Sequence, residues 1–468
     1  MAEQRSELFE GLAEQPTPGP ASRGLPRLRV PVRNQLGWEA LTLDELLAPE
    51  HRARVVWSFV EGLDLSALYA KVKALEGRPG HPPADPRLLL GLWLYATVEQ
   101  VGSARALDRL CAEHHGFRWM CGGVSVNYHA LADFRVAHGA VLERLLTQSF
   151  AVLLHAGVAD LTRVAQDGVR VRAGAGAASF RRRRTLEQCH QLARGEVARL
   201  RSEVANDPGA TTARRRAARE RAARERAARV AEALSALAAL EHRSGKPAAP
   251  AEAPPPEDQA PEDQAPGDEG AAPGAHKPAE PRVSTTDPEA RIMKMADGGF
   301  RPAFNVQFAS ATGSQLIAGV SIGNVGSDQG QMAPMVEHLA GRYGCRPAEL
   351  LVDGGFTKLA DIEAVSADDK TTVYAPVTKP RAPRRDPHAA RPGDTPAVAA
   401  WRVRMGTPAA REIYKERAAT AECINALARN RGLQRFTVRG LVKAKAVALL
   451  FALAHNLMRA HSLSAATA

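Results

Sequence analysis

Apolar residues recur at helical spacing over the first part of the chain. Asp85 followed by Pro86 is a typical helix start, and an apolar face runs on through Tyr95. The predicted helices start near residues 86, 104, 124 and 140. Short helices joined by short turns are typical of a helix-turn-helix module, although a generic helical bundle fits them equally well. We expect an all-α N-terminal domain over residues 36–157, with Arg135 among the polar positions of its third helix.

The pattern changes to that of a strand and then of two long helices. Residues 162–173 are rich in valine around Gln166, Asp167 and Gly168, which predicts a strand. Residues 185–205 and 213–241 then show apolar positions at spacings of three and four, with a turn between them. We therefore expect a helical hairpin, inserted at residues 181–245.

Two segments have no pattern of either kind. Residues 247–281 contain no Val, Ile, Leu, Met or aromatic residue, and acidic residues greatly outnumber basic ones. Such a segment buries too little apolar surface to offset its chain entropy. We expect a disordered linker at residues 246–282 and a flexible tail at residues 1–30.

Alternating strands and helices return at residue 284. The predicted strands cover residues 302–309, 315–323, 350–352 and 372–377, and the predicted helices cover 328–342, 356–365, 408–431 and 441–460. Asn305 and Gln307 alternate with apolar neighbours, so we expect them to face solvent. This order predicts an α/β domain built from residues 160–173 and 284–465 and split by the insert.

Composition adds a preference for polyanions. The formal charge of +11 favours nucleic acid as a partner and makes residues 36–157 a candidate DNA-binding domain, although a genome rich in G and C also inflates arginine content. The five cysteines form no CxxC pair, which argues against a disulfide framework or a zinc site. With no signal pattern and no long apolar run, we expect a cytoplasmic, nucleoid-associated protein without a membrane partner.

Three acids stand out on these elements. Asp167 lies on the first predicted strand, Asp353 directly follows a buried strand, and Glu422 lies on the helix at 408–431. The element order is that of the RNase H-like fold, in which two strands and a later helix each present one acid. Each acid alone has an ordinary alternative: a turn or bulge for Asp167, a loop for Asp353, and a solvated helix face for Glu422.

Three acids from distant positions suit phosphodiester chemistry. In-line displacement at phosphorus is served by two Mg²⁺ ions about 3.5–4 Å apart, which activate the attacking oxygen and stabilise the leaving one. Mg²⁺ binds oxygen ligands and needs few carboxylates. Asp167, Asp353 and Glu422 are therefore the candidate catalytic residues and metal ligands.

Several motifs together resemble a known family. The run STTDPEARIMKMADGGFRPAFNVQFA at 284–309 and LVDGGF at 351–356 look like the catalytic domain of DDE transposases of the insertion sequence 1182 group. The C-terminal signature is similar as well: Tyr414, two residues, Arg417, four residues, Glu422, six residues, Arg429. Compared with the family pattern, this chain has one extra residue between Arg417 and Glu422, and Arg429 replaces a lysine. Residues 81–157 also resemble the family's helical N-terminal domain.

The resemblance implies a transposase. It would bind the terminal inverted repeats of its element, cleave the DNA ends with Mg²⁺ or Mn²⁺, and join them to target DNA as at least a homodimer. It also implies that Tyr414 and Arg429, with Arg417, contact the DNA backbone. A nuclease without strand transfer and an inactive, domesticated DNA-binding regulator remain alternatives.

Two further features bear on DNA. Residues 213–229 hold eight arginines against two glutamates, and Arg181, Arg182, Arg183 and Arg184 form a quartet. Although a charge run is usually a solvated face, a helix of this charge also suits a DNA backbone. Trp401 falls in a predicted basic loop, where it either stacks on an unpaired base or packs in the ordinary way.

Overall fold

The computed structural model describes residues 41–74, 82–206, 212–243, 280–367, 370–378 and 386–467. The predicted tail at 1–30 lies outside these residues, and so does the predicted linker except for residues 280–282. Both remain predictions from the sequence.

Helices make up the first part of the described chain. They are α1 (Arg52–Glu61), α2 (Ser66–Tyr69), α3 (Pro86–Val98), α4 (Ala104–Glu113), α5 (His115–Cys121), α6 (Tyr128–Ala137) and α7 (Gly139–His155). Side-chain caps begin several of them; Asp85, for example, accepts a hydrogen bond from the backbone N–H of Arg87 at 2.8 Å. The predicted helical N-terminal region is confirmed, and α1, α2 and α5 are additions to it.

The strands form one mixed sheet and a small pair. They are β1 (Arg163–Arg172), β2 (Phe180–Arg181), β3 (Val283–Ser284), β4 (Arg291–Lys294), β5 (Phe300–Ala311), β6 (Ile317–Gly323), β7 (Glu349–Leu351) and β8 (Thr372–Tyr374). The six-stranded sheet has the order β4-β5-β1-β7-β8, with β6 also paired to β5. β1 is antiparallel to β5 and parallel to β7, and β7 is parallel to β8. The fold is therefore mixed α/β, as predicted.

The remaining helices follow the strands and the insert. They are α8 (Arg183–Asn206), α9 (Ala213–Arg243), α10 (Met332–Tyr343), α11 (Leu359–Ser366), α12 (Pro396–Met405), α13 (Pro408–Arg417), a π-helical segment (Ala418–Glu422), α14 (Cys423–Asn430) and α15 (Leu441–Thr467). α8 and α9 are the predicted hairpin helices, and they share a small core with β3 that includes Leu186, Leu237 and Val283.

The long apolar helix α15 is largely buried by its neighbours. Within the described chain it alone is long and apolar enough to suit a membrane span, but 67% of its most apolar window is buried inside the protein. Its Phe451 packs on Phe308 of β5 with ring centroids 5.5 Å apart. The Asn456 side chain accepts from the N–H of Ile317 and donates to its carbonyl, each at 2.8 Å. α15 thus joins the N-terminal helices and the sheet in one continuous core.

Two expectations about side-chain exposure are wrong, and for Trp401 the predicted loop is wrong whereas the alternative of ordinary packing is confirmed. Asn305 and Gln307 are 3% and 1% exposed, because β5 is buried on both faces and their amides bond to other buried groups. Arg135 is 6% exposed, and its guanidinium lies 4.6 Å over the ring of Trp93. Trp401 lies in α12 rather than in a loop; it is 1% exposed and its indole N–H donates to the Ala375 carbonyl at 3.0 Å. It therefore packs in the core, and base stacking is excluded.

Candidate active site

Two of the predicted acids lie side by side at the centre of the sheet. The parallel register of β1 and β7 pairs Val164 with Leu350 and Ala165 with Leu351. Asp167 follows Ala165 by two residues, and Asp353 follows Leu351 by two residues. The negative charge of Asp353 acts directly on the Asp167 carboxyl. Neighbouring parallel strands therefore bring together two carboxylates that are far apart in sequence.

Asp167 is largely buried and held by hydrogen bonds. Its side chain is 14% exposed. One oxygen accepts from the N–H of Gly168 at 2.8 Å, and the other accepts from the Asn425 amide at 3.1 Å and from the Arg417 guanidinium at 3.3 Å. Burial, followed by the charge of Asp353, raises the pKa of Asp167 to about 6, although Arg417 and the Gly168 N–H act in the opposite direction.

Asp353 lies where the chain leaves β7. Its carboxylate accepts from the N–H of Gly355 at 2.7 Å and so caps a short 3₁₀ helix, Gly354–Phe356. The same oxygen lies 2.9 Å from the place where a Cβ on Gly355 would stand. Because Gly355 of the LVDGGF motif has no Cβ, the backbone after Asp353 can pass close to the Asp353 carboxylate.

Glu422 is linked to Asp167 through Arg417. Its carboxylate is 63% exposed and accepts from Arg417 at 3.1 Å, while a second nitrogen of Arg417 reaches Asp167. The Arg417 side chain is only 13% exposed. Burial alone would lower its pKa, but the hydroxyl of Tyr414 and the neighbouring acids raise the pKa of Arg417 overall. Arg417 therefore bridges two candidate metal ligands.

The π-helical segment accounts for the extra residue in the C-terminal signature. It covers Ala418–Glu422, directly between α13 and α14. A π turn closes i to i+5 hydrogen bonds and so accommodates one more residue than an α turn. Arg417 and Glu422 are five residues apart and still meet on one side of the helix. The local widening keeps these two side chains in contact despite the insertion.

The other candidate DNA contacts differ in their surroundings. Tyr414 is half-buried, and its hydroxyl donates to the Val352 carbonyl at 3.2 Å, which ties α13 to the residue before Asp353. Arg429 is exposed on α14. Their predicted contact with the DNA backbone remains a prediction, with the Tyr414 hydroxyl already occupied by the main chain.

The arginine quartet lies at the base of the hairpin, and part of its charge is neutralised there. Arg183 forms ion pairs with Glu241 of α9 and Glu187 of α8. Arg182 lies 3.2 Å from Glu280. Arg181 and Arg184 are exposed. Within the quartet, Arg183 therefore fastens α8 to α9.

A buried polar network behind Asp167 was not predicted from the sequence. Asp328, 8% exposed, accepts hydrogen bonds from Asn305 at 2.7 Å and from Gln307 at 2.6 Å. Arg170 lies 3.5 Å from its other oxygen. The charge of Asp328 also acts on Asp167. The two amides on β5 are the signal that could have revealed this network, had their burial been recognised.

The acids present fit a hard divalent cation only in part. Two neighbouring carboxylates, one with a raised pKa, form a site where a cation would relieve repulsion, and Mg²⁺ needs only one or two carboxylates. Across the described part of the chain, however, no three His, Cys, Asp or Glu side chains are grouped to hold one metal ion together. Asp167 and Asp353 therefore fit as primary ligands, while Glu422 is held apart by Arg417.

Two stretches of the chain match family models. Residues 381–461 match the model described as the transposase DDE domain, and residues 41–137 match the transposase domain DUF772. The first stretch contains Glu422 and the signature around it, and the second contains α1 to α6. Neither a curated protein nor a solved structure matches the chain significantly. The two matches support a DDE transposase.

Proposed function

We propose that this protein is the transposase of a bacterial insertion sequence, similar to the 1182 group. Asp167 and Asp353 would be catalytic residues of the active site that cleaves and rejoins DNA. One observation carries the proposal: the register of β1 and β7 brings these acids side by side, although they lie 186 positions apart in the sequence. Both acids lie outside the two matched stretches, so this evidence is independent of the family matches.

The strand arrangement supports an RNase H-like catalytic domain. β1 lies in the centre of the sheet and carries one acid, its parallel neighbour β7 leads to the second, and the helical run α13 to α14 carries the third. In the RNase H-like fold, too, two strands and a later helix each present one acid. Residues 160–173 and 284–465 would form this domain, with the hairpin as an insert.

The side chains prepare the site for a phosphodiester. Asp167 and Asp353 would hold Mg²⁺, or Mn²⁺, which when bound supplies activation of the attacking oxygen and stabilisation of the leaving oxygen. Asn425 donates to Asp167 and fixes the direction of its carboxylate. Arg417 neutralises charge between Asp167 and Glu422, and its planar fork also suits phosphate oxygens. We infer that Arg417 exchanges carboxylate contacts for DNA phosphate contacts when substrate binds.

Double-stranded DNA is the partner that the charge favours. The formal charge of +11 and the arginine-rich start of α9 favour a polyanion, and Arg429 is exposed two turns beyond Glu422. The helical region at 36–157 would recognise the terminal inverted repeats. Cutting two ends in concert requires at least a dimer on DNA.

A strand-transfer assay tests the proposal. Wild-type protein is incubated with Mg²⁺, pre-cleaved element ends and a plasmid target. We expect joining of the 3′ ends to the plasmid by the wild type and none by Asp353→Asn, because that substitution removes one carboxylate of the pair. Glu363→Gln, an exposed acid on α11, is the matched control and should join ends normally.

The same proteins, incubated in parallel with uncleaved element ends that still carry flanking DNA, separate the alternatives. Cleavage of flanking DNA without joining would identify a nuclease and contradict the transposase. Normal DNA binding with neither cleavage nor joining by the wild type would identify an inactive regulator.

A further inference from the structure

A basic cleft lies away from the acids, between the N-terminal helices and the end of the chain. It has a volume of about 410 Å³ and is bordered by α1, the end of α3, the end of α14 and α15. Arg52, Arg431 and Arg459 line it together with His455. No Asp or Glu is among the described residues that line it. Three guanidinium groups therefore converge with no acid in the wall.

The charge in this cleft is incompletely balanced by the protein. Arg431 is half-buried, and its Nη1 atom is buried with no hydrogen-bond partner among the residues that the structure describes. Burial, and then the charge of Arg52, lowers the pKa of Arg431. Among the described residues, the ion pair given for Arg52 is a long one, 3.8 Å to Glu99, and 63% of the Arg52 side chain is exposed. An unpaired, partly desolvated guanidinium is costly unless an anion joins it.

The neighbouring groups do not supply that anion. His455 is 3% exposed and contacts the Gln315 carbonyl at 2.8 Å; burial lowers its pKa to about 4, so the ring is neutral at pH 7. Arg459 uses its Nε to bind the Ser314 carbonyl at 2.9 Å. The last carbonyls of α14 accept from backbone N–H groups, including Arg431 to Leu427 at 2.9 Å. Capping of α14 therefore does not require the arginine side chains.

We infer that this cleft binds a phosphodiester of the DNA backbone, remote from the phosphodiester that reacts. This inference rests on the proposed function, since it takes DNA as the partner. α14 starts directly after Glu422 and ends at the cleft, about 12 Å away for eight residues at 1.5 Å each. A DNA strand running from the acids along α14 would pass the exposed Arg429 and reach Arg431. Arg52 would then contact the same strand from the N-terminal helices.

The salt dependence of DNA binding tests the inference. Fluorescence anisotropy with a labelled element-end duplex gives the slope of log K against log salt concentration for the full-length protein. We expect Arg431→Gln and Arg52→Gln each to weaken binding several-fold and to reduce the slope by about 1, as for one lost phosphate contact. Arg431→Lys should restore most of the slope because it keeps the charge. The control is Arg346→Gln, an arginine already paired with Glu337 outside the cleft.

The outcomes are distinguishable. The inference would be overturned if the wild type bound DNA with a steep salt slope and Arg52→Gln had the same slope. This result would count even if Arg431→Gln failed to fold, because the Arg52 side chain is mostly exposed. A thermal shift with inorganic phosphate that both substitutions abolish, together with unchanged DNA slopes, would assign the cleft to a free anion and also overturn it. No DNA binding by the wild type would contradict the transposase proposal itself.

Discussion

Gly168 shows how closely side chains pack behind Asp167. A Cβ at this position would lie 2.4 Å from both the Asp328 carboxylate and the Gln307 amide. Those groups are buried and bonded to each other, so neither moves without breaking the network. The glycine next to Asp167 is therefore required by the close approach of β5 and Asp328.

Gly168→Ala should destabilise the protein by about 2–3 kcal/mol, because overpacking would displace hydrogen-bonded groups. Gly176→Ala is the matched control, since nothing lies within 4 Å of its added Cβ and its φ of −87° suits alanine. We expect that control to be neutral or slightly stabilising. Urea unfolding measures both; equal stability of the two variants would contradict the packing described.

Asp167 makes the metal-free protein sensitive to pH. Its pKa of about 6 lies above the ordinary value of 3.8, so the folded state binds this proton more tightly than the unfolded chain does. The stability that the bound proton contributes is fully present below about pH 4 and is lost as the pH rises through 6. At neutral pH the ionised carboxylate therefore lowers the free energy of unfolding.

Asp167→Asn should stabilise the metal-free protein by up to about 3 kcal/mol at pH 7.5, and this gain should disappear near pH 4. Urea unfolding in EDTA at the two pH values measures it, with the exposed Asp133→Asn as control. A variant less stable than the wild type at pH 7.5 would show that the bonds to Arg417 and Asn425 outweigh burial and repulsion.

Among individual residues, the sequence predicted the two aspartates but not the side chains that surround them. Asp167 and Asp353 could be found because each lies on or directly after an apolar strand. Asn305 and Gln307 were misassigned because alternating polar residues look the same facing solvent or a buried carboxylate. Asn425 carries no local signal, since only the fold brings it to Asp167.

At the scale of elements, the π-helical segment explains how an insertion is tolerated. The Ala418–Glu422 segment lies between two regular helices and carries the extra residue. Its Ala419 carbonyl accepts from the Gln315 side chain at 2.9 Å. Removal of one residue here would restore an α turn, in which Arg417 and Glu422 remain neighbours at i and i+4.

Deletion of Ala419 should therefore cost only about 1 kcal/mol, mainly for the lost bond to Gln315. Deletion of Ala426 within α14 should cost several times more, because it rotates the buried Ile424 and Ala428 relative to each other. Urea unfolding compares the two deletions. Equal losses would mean that the π segment is not a localised insertion.

Most long elements followed from periodicity alone. The hairpin helices, the β5 and β6 hairpin and the apolar α15 all lie close to their predicted positions. The short strands β2, β3 and β4 were not predicted, because they have too few residues for a period to register. The helix α12 was assigned to a loop since its apolar and basic residues show no single face.

At the scale of the molecule, the insert is attached by a closed base. Arg181 pairs with Val283 and Phe180 with Ser284, so the two ends of the insert lie side by side. The hairpin has its own small core. It can therefore be replaced without opening the main sheet.

Replacement of residues 184–280 by a short Gly/Ser turn should leave a folded protein with weaker DNA binding and a smaller salt slope. The expected cause is the loss of the arginine-rich start of α9. Circular dichroism checks folding, and anisotropy measures affinity. Unchanged affinity and an unchanged salt slope would show that the hairpin does not contribute to DNA binding.

The assignment of Asp167 and Asp353 is tested most directly by Mg²⁺-dependent cleavage of DNA flanking the element ends. The wild type should cleave with Mg²⁺ and not with EDTA. Asp353→Asn should bind the same DNA normally but cleave at least about 100-fold more slowly, since the pair of carboxylates is broken. Glu363→Gln should cleave like the wild type. Undiminished cleavage by Asp353→Asn would contradict the assignment of Asp167 and Asp353 as the reacting centre.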